Sequence, residues 1–237
     1  MRLDQGLVFG SDSRTNAGVD YVTTYSKMRI VNPSPDRLFV VLSAGNLATT
    51  QEIGYHIRRD LDQQSPVNLG NVRYLFEAAE YLGRVSQTVQ QRHAAALQTA
   101  GVSGETSLIL GGQIQGQPPE IMLIYPQGNY IAASDRAPYL QIGETKYGKP
   151  ALDRLLRSDL SLDVAGRIGM TSLAGTAQSN VTVGPPFELA LYPRDTLAVS
   201  HHLSVEADAP YLTQLRQRWD EGFRRTLNEL PLFDWEK

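Results

Sequence analysis

The order in which strand-like and helix-like stretches occur constrains this chain more than any other feature, because strands come in adjacent groups and helices in pairs. A short arm, Met1-Arg2-Leu3, leads into Asp4-Gln5-Gly6, which has turn chemistry, and residues 7–11 then read as a strand. A polar loop at 13–18 precedes strands at 21–24, 27–31 and 38–42. Two helices follow. One runs from a cap at Asn46 or Thr49 to about Asp62; the next carries Val72, Leu75, Phe76, Ala79, Leu82, Val85 and Val89 at helical spacing and reaches about Ala100. Strands return at 106–110, 120–125 and 130–133, with Pro126-Gln127-Gly128-Asn129 as a hairpin turn. Gly148-Lys149-Pro150 is a helix entry, and Leu152, Leu155 and Leu156, then Leu162, Ala165 and Ile168, mark a second helix pair. Strands at 187–192 and 197–205 and a last helix with Leu212, Leu215, Trp219, Phe223 and Leu227 complete the order. Hairpins beside paired helices predict an α+β layered sandwich rather than an alternating βαβ fold. No repeat, low-complexity tract or linker interrupts residues 1–237, which read as one domain.

Composition removes several classes of function. The net charge is −3 with both signs interspersed, so there is no basic stripe for nucleic acid or an anionic membrane surface. Cysteine is absent, which excludes disulfides, thiolate metal sites and a cysteine nucleophile and suits a cytoplasmic setting. The longest apolar runs, 38–42 and 121–125, fall far short of the roughly 20 residues that span a bilayer. No secretory signal is visible at the start. His56 and His93 lie in helices without ligand spacing, and His201 and His202 are neighbours in a strand and face opposite sides, so neither a metal nor a cofactor is expected. No nucleotide-binding loop or zincin motif occurs, and Gly111-Gly112, the densest glycine spot, reads as a turn at a strand end. Ser11 and Ser13 lack the G-x-S-x-G context and a nearby histidine, which leaves a serine triad little support. Asp12 and Arg14 directly after an apolar strand, Lys27, and Ala44-Gly45-Asn46 between strand and helix are the set that stands out. Taken singly, they are a solvated charge, a surface lysine and a tight turn.

"GLVFGSDSRTNAG", "YSKMRI" and "VLSAGNLATT" resemble the N-terminal third of a proteasome-type β subunit. With "IGETKYGKPALDRLL" and "QSNVTVGPP", the resemblance extends over essentially the whole chain and points to the bacterial ancestral β-subunit (Anbu) branch. It implies an N-terminal-nucleophile (Ntn) hydrolase with a four-layer αββα sandwich. In such proteins a threonine at the first position attacks a peptide carbonyl while its own α-amino group moves the proton. By the same resemblance Lys27 is the ammonium beside that hydroxyl, lowering the pKa of the hydroxyl and amine by like-charge repulsion, and Asp12 holds Lys27 in place. Arg14 supports the loop, and the Gly45 N–H is the oxyanion donor. Asn16 and Leu47 pair their backbones with an extended substrate, while Thr15, Tyr25 and Ser43 shape the first specificity pocket.

Two places depart from the family pattern. Gly143-Glu144-Thr145 stands where members often carry Gly-Ser-Gly, and Ser179-Asn180 where they carry an aspartate with a nearby serine. Glu144 either takes over the serine's hydrogen bonds or pairs with Lys146 at a helix start, and Asn180 stands at the aspartate's place without being its direct equivalent. The family's spacing also puts the nucleophile roughly five positions before Met1, so the short first arm reads as the remainder of a longer strand. As written, the chain is then expected to be inactive, through an internal methionine taken as the start or through trimming. The expected partners are copies of itself, in a ring or an open helical turn, and a peptide or amide substrate. Tyr74, Tyr81 and Ala95, off the main apolar stripe of their helix, support the first of these. An ATP-dependent partner is left open, and neither nucleic acid nor membrane is expected. A catalytically silent ring-forming scaffold or binding protein is the alternative to a peptidase, and a small-molecule Ntn amidase with a deep closed pocket is a third reading.

Overall fold

Strands that are apolar on both faces need cover on both sides, and this chain supplies it with two sheets and two helical layers. A computed structural model describes residues 1–16 and 22–237. The first half contains β1 (Arg2–Leu3), β2 (Gly6–Asp12), β3 (Arg14–Asn16), β4 (Val22–Thr24), β5 (Met28–Ser34) and β6 (Arg37–Gly45), then α1 (Leu47–Asp62) and α2 (Leu75–Thr99). The second half contains β7 (Thr106–Ile114), β8 (Glu120–Ile124), β9 (Tyr130–Ala132), α3 (Lys149–Leu155), α4 (Leu162–Ser179), β10 (Phe187–Pro193), β11 (His201–Val205) and α5 (Pro210–Glu229). One antiparallel sheet has the order β1-β2-β10-β11, the other β5-β6-β7-β8-β9, and β3-β4 form a hairpin of their own.

Strand alternation sorts the core into three layers. Leu7 and Phe9 of β2 meet Leu38, Val40 and Leu42 of β6 between the two sheets. Val8, between them in sequence, faces α4 with Leu189 and Leu191 of β10. On the far side, Phe39 and Val41 of β6 pack under Ile53 and Ile57 of α1 and Leu82 of α2. The result is the αββα stack, an α+β fold, and each half-buried helix is held by one stripe. Asn46 starts α1 by accepting the Thr49 backbone N–H at 3.1 Å, so the cap is Asn46 and not Thr49.

Several sequence expectations change here. The stretch 13–18 is not all loop, because Arg14 and Thr15 pair with Thr24 and Thr23 in the β3-β4 hairpin; Tyr21 and the residues from 17 lie outside the described residues. Gly111 and Gly112 are inside β7 rather than at its end, pairing with Val40 and Phe39. A Cβ on Gly111 would collide with the Phe9 ring, so this glycine makes room for an aromatic side chain between the sheets. The second helix starts at Leu75, after Tyr74, and the last strand starts at His201 rather than at Leu197, whose φ is +50°. Tyr81 is not a surface residue of α2. It is buried, and its hydroxyl donates to Asp60 Oδ2 at 2.9 Å.

Candidate active site

β2, β6 and β10 all run between the same two ends of the sandwich, and at one end the sheets part. A cavity of about 870 Å³ opens there, walled by Asp12, Lys27, Ser43, Gly45 and Leu47 among others. Asp12 closes β2 at its C-terminal end, and Lys27 stands just before β5 on the opposite sheet. Lys27 Nζ donates to Asp12 Oδ1 at 2.6 Å. The other carboxylate oxygen accepts the backbone N–H of Arg14 and of Gly184, each at 3.2 Å. Both oxygens of Asp12 are therefore occupied, and the acid is anchored by β3 and by the loop before β10. Its side chain is 12% exposed and that of Lys27 24%, well below what a pair in open solvent shows.

Arg14 ties the loops together and does not reach the acid with its guanidinium. Its Nη1 donates to the Val181 carbonyl at 2.8 Å, and its side chain lies against Gly184, where a Cβ would collide with it. Gly45 has φ +122°, and a Cβ there would run into the Glu105 carbonyl; only glycine lets β6 turn into α1 this close to β7. Thr15, Tyr25, Ser43 and Leu47 line the cavity. Asn16, the last residue of β3, is in register with Val22, and Leu47 opens α1.

Glu144 and Asn180 are brought together. Glu144 Oε2 accepts from Asn180 Nδ2 at 2.9 Å, and Oε1 accepts the backbone N–H of Lys146 at 2.8 Å, not its ammonium. Asn180 ends α4, and its Oδ1 accepts both the backbone N–H of Thr182 at 2.8 Å and its hydroxyl at 2.7 Å. Thr182 was not singled out in the sequence, although the Asn-x-Thr spacing is the pattern of such a turn.

Ser26 and Glu188 were also missed. Ser26 Oγ donates to Glu188 Oε2 at 2.7 Å, and Glu188 is buried on β10. A glutamate within an apolar strand gives no signal of its partner until the sheets are stacked. Ser11 and Ser13 have no histidine hydrogen-bonded to them, and Ser11 Oγ is buried without any partner among the described residues. Among the described residues no helix is long and apolar enough to cross a membrane, and no group of His, Cys, Asp and Glu could hold a metal ion.

No family model and no curated protein matches the chain. Solved structures do. The chain is 41% identical to Anbu (ancestral β-subunit) from Yersinia bercovieri, with 99% of this chain and 97% of that one covered at a TM-score of 0.91. It is 39% identical to the protein in a helical assembly of the Anbu complex from Pseudomonas aeruginosa, covering 98% and 96% at a TM-score of 0.92. Anbu from Hyphomicrobium sp. strain MC1 is 38% identical over 98% and 97%, with a TM-score of 0.88.

Proposed function

Because the chain belongs to the Anbu family of ancestral, proteasome-like β-subunits, we propose that it is a subunit of a self-compartmentalising threonine peptidase whose proton chemistry is run by Lys27. The Asp12–Lys27 pair on the cavity wall carries this reading. Stability alone gives such a pair little reason to be there, since a partly desolvated ion pair returns little net free energy. Here the ammonium is fixed by an acid that has no further oxygen to offer, and it borders open space. A positive charge at that spot favours the neutral amine and the ionised hydroxyl of a residue placed beside it. Gly45 presents its N–H to the reacting carbonyl, and Asn16 and Leu47 hold an extended peptide, with Thr15, Tyr25 and Ser43 around its first side chain. Arg14 holds the loops. Glu144, backed by Asn180 and Thr182, supplies the hydrogen bonds that a serine gives in related sites.

Assembly with copies of itself is part of the proposal. The Pseudomonas relative forms a helical assembly, and α5 of this chain leaves Trp219, Phe223 and Leu227 exposed on one side, the last two by 61% and 69%. Such a stripe on a 20-residue helix is more apolar surface than a lone subunit carries without use.

The test is covalent labelling by a peptide epoxyketone or β-lactone. A protein bearing an N-terminal threonine at the family's spacing ahead of Met1 is expected to label at that threonine, and Lys27→Ala is expected to slow labelling by about a hundredfold or more. Labelling mapped to an internal Ser or Thr would overturn the assignment; no labelling of any version would favour the silent scaffold. Light scattering tests assembly: a large particle is expected, and Phe223→Glu should break it down.

A further inference from the structure

Lys27 lies in an irregular stretch, 25–27, ahead of β5. Its ion pair is one hydrogen bond at the tip of a four-carbon side chain, and the backbone is held on one side only, where the Lys27 carbonyl accepts the Ser43 N–H at 3.0 Å. The residue before it supplies a second anchor. Ser26 Oγ donates to Glu188 Oε2 at 2.7 Å, a short bond of the kind a carboxylate makes, and accepts the Met28 backbone N–H at 3.3 Å; the Met28 carbonyl is 2.9 Å from the same hydroxyl. Thus both residues flanking Lys27 are tied to one side chain.

The two acids stand on adjacent strands of the four-stranded sheet. Asp12 of β2 is in register with Phe187, and Glu188 with Ser11. Ser26 and Lys27 belong to the chain that enters the five-stranded sheet. Consecutive side chains on an extended backbone diverge, yet both of these reach across the gap, each to its own acid. Glu188 is 8% exposed, and its other oxygen lies 3.4 Å from His202 Nε2 on β11. Asp12 is already held by two backbone N–H groups, so the acids are rigid and the serine–lysine segment is what they restrain.

We infer that Ser26 and Glu188 are positioning residues: a clamp across the two sheets, anchored on the buried Glu188, that holds the Lys27 ammonium against Asp12 at the cavity wall. The inference rests on the reading of Lys27 as the proton-handling group, but its test does not pass through peptidase activity. The full chain is acylated with limiting N-hydroxysuccinimidyl acetate, and the rate at Lys27 is read by peptide mass spectrometry against Lys146 and Lys237. An amine held in a charge-assisted hydrogen bond reacts slowly. Ser26→Ala is expected to raise the Lys27 rate about fivefold relative to the reference lysines, and Glu188→Leu similarly. Ser26→Thr, which keeps the hydroxyl, is expected to return it to within about twofold of the parent. Unchanged acylation in Ser26→Ala, or a Ser26→Thr that behaves like Ser26→Ala, overturns the clamp. Ser26 is solvent-exposed, so its variants decide the question even where Glu188→Leu fails to fold. If instead the clamp passes this test and Lys27→Ala still labels at the parent rate, it is the catalytic reading that falls.

Discussion

The space between the two sheets is polar at both ends, and the two ends are built differently. At the closed end Gln113, 1% exposed, sits at the hub of a network centred on its neutral amide. Its Oε1 accepts from the Tyr192 hydroxyl at 2.6 Å and from the Asp195 backbone N–H at 2.9 Å. Its Nε2 donates to the Gln117 carbonyl and to Asp195 Oδ1, both at 2.6 Å. The side-chain amide has its oxygen bonded twice and both of its hydrogens used, and burial pushes the Tyr192 hydroxyl above the usual tyrosine range. At the open end charge replaces neutral amide, a cavity separates the sheets, and Ser11 Oγ is left without a partner among the described residues. The same strands carry both ends, so neither propensity nor sheet packing accounts for the contrast. A saturated polar network away from any cavity serves stability, whereas the ion pair at the open end borders the cavity on which the proposed chemistry rests.

Substitutions that cross the two ends should separate activity from stability. In a protein carrying the N-terminal threonine, Asp12→Asn is expected to slow lactone labelling about a hundredfold, because the amide no longer holds the ammonium. The same change should cost only about 1 kcal/mol of unfolding free energy in urea, since the pair is partly solvated. Gln113→Leu should do the opposite. It strands the buried Tyr192 hydroxyl in an apolar layer, removes the acceptor of the Asp195 N–H and is expected to cost about 3 kcal/mol, with labelling per folded molecule within about twofold of the parent. A Gln113 variant that loses labelling without losing stability would break the contrast. Tyr192→Phe removes one bond of the closed network and should cost about 1 kcal/mol.

The smallest effect concerns a third buried polar contact, outside the inter-sheet layer. Burial works against the charged form of Asp60, but hydrogen bonds from Arg59 and Tyr81 outweigh it and hold this carboxyl below its usual value. A native pKa below the unfolded one stabilises the fold above the unfolded pKa, near 4, and that contribution is lost as pH falls through the native value. The stability advantage of the parent over Asp60→Asn should therefore shrink in urea titrations between about pH 5 and pH 2. A difference independent of pH would show that Asp60 acts only as a hydrogen-bond acceptor.

The layered α+β class was legible in the sequence because strands fall in adjacent groups and helices in pairs, while the αββα order of the layers came with the family resemblance. The Asp12–Lys27 pair was legible only through the family resemblance, since singly its members read as a solvated charge and a surface lysine. Contacts that close only when the sheets stack were not legible. Glu188 lies 162 positions from Ser26, and nothing local in either marks the other. Gly111 misled for the same reason: a glycine pair suggests a turn until the Phe9 ring is seen to need the space. Tyr81 looked like surplus apolar surface because its acceptor, Asp60, belongs to the preceding helix.

The stripe on α5 also has a bearing on how such a subunit is made. In the chain α5 comes after every strand, so a ribosome releases it only when both sheets are already available to fold. Leu212 at its start is fully buried against the layer of α3 and α4, while Trp219, Phe223 and Leu227 further along are not. A newly made subunit therefore completes its own core before it shows its most adhesive surface. The time it then spends alone is set by the concentration of sister subunits, and low expression should leave it exposed to aggregation and proteolysis for longer.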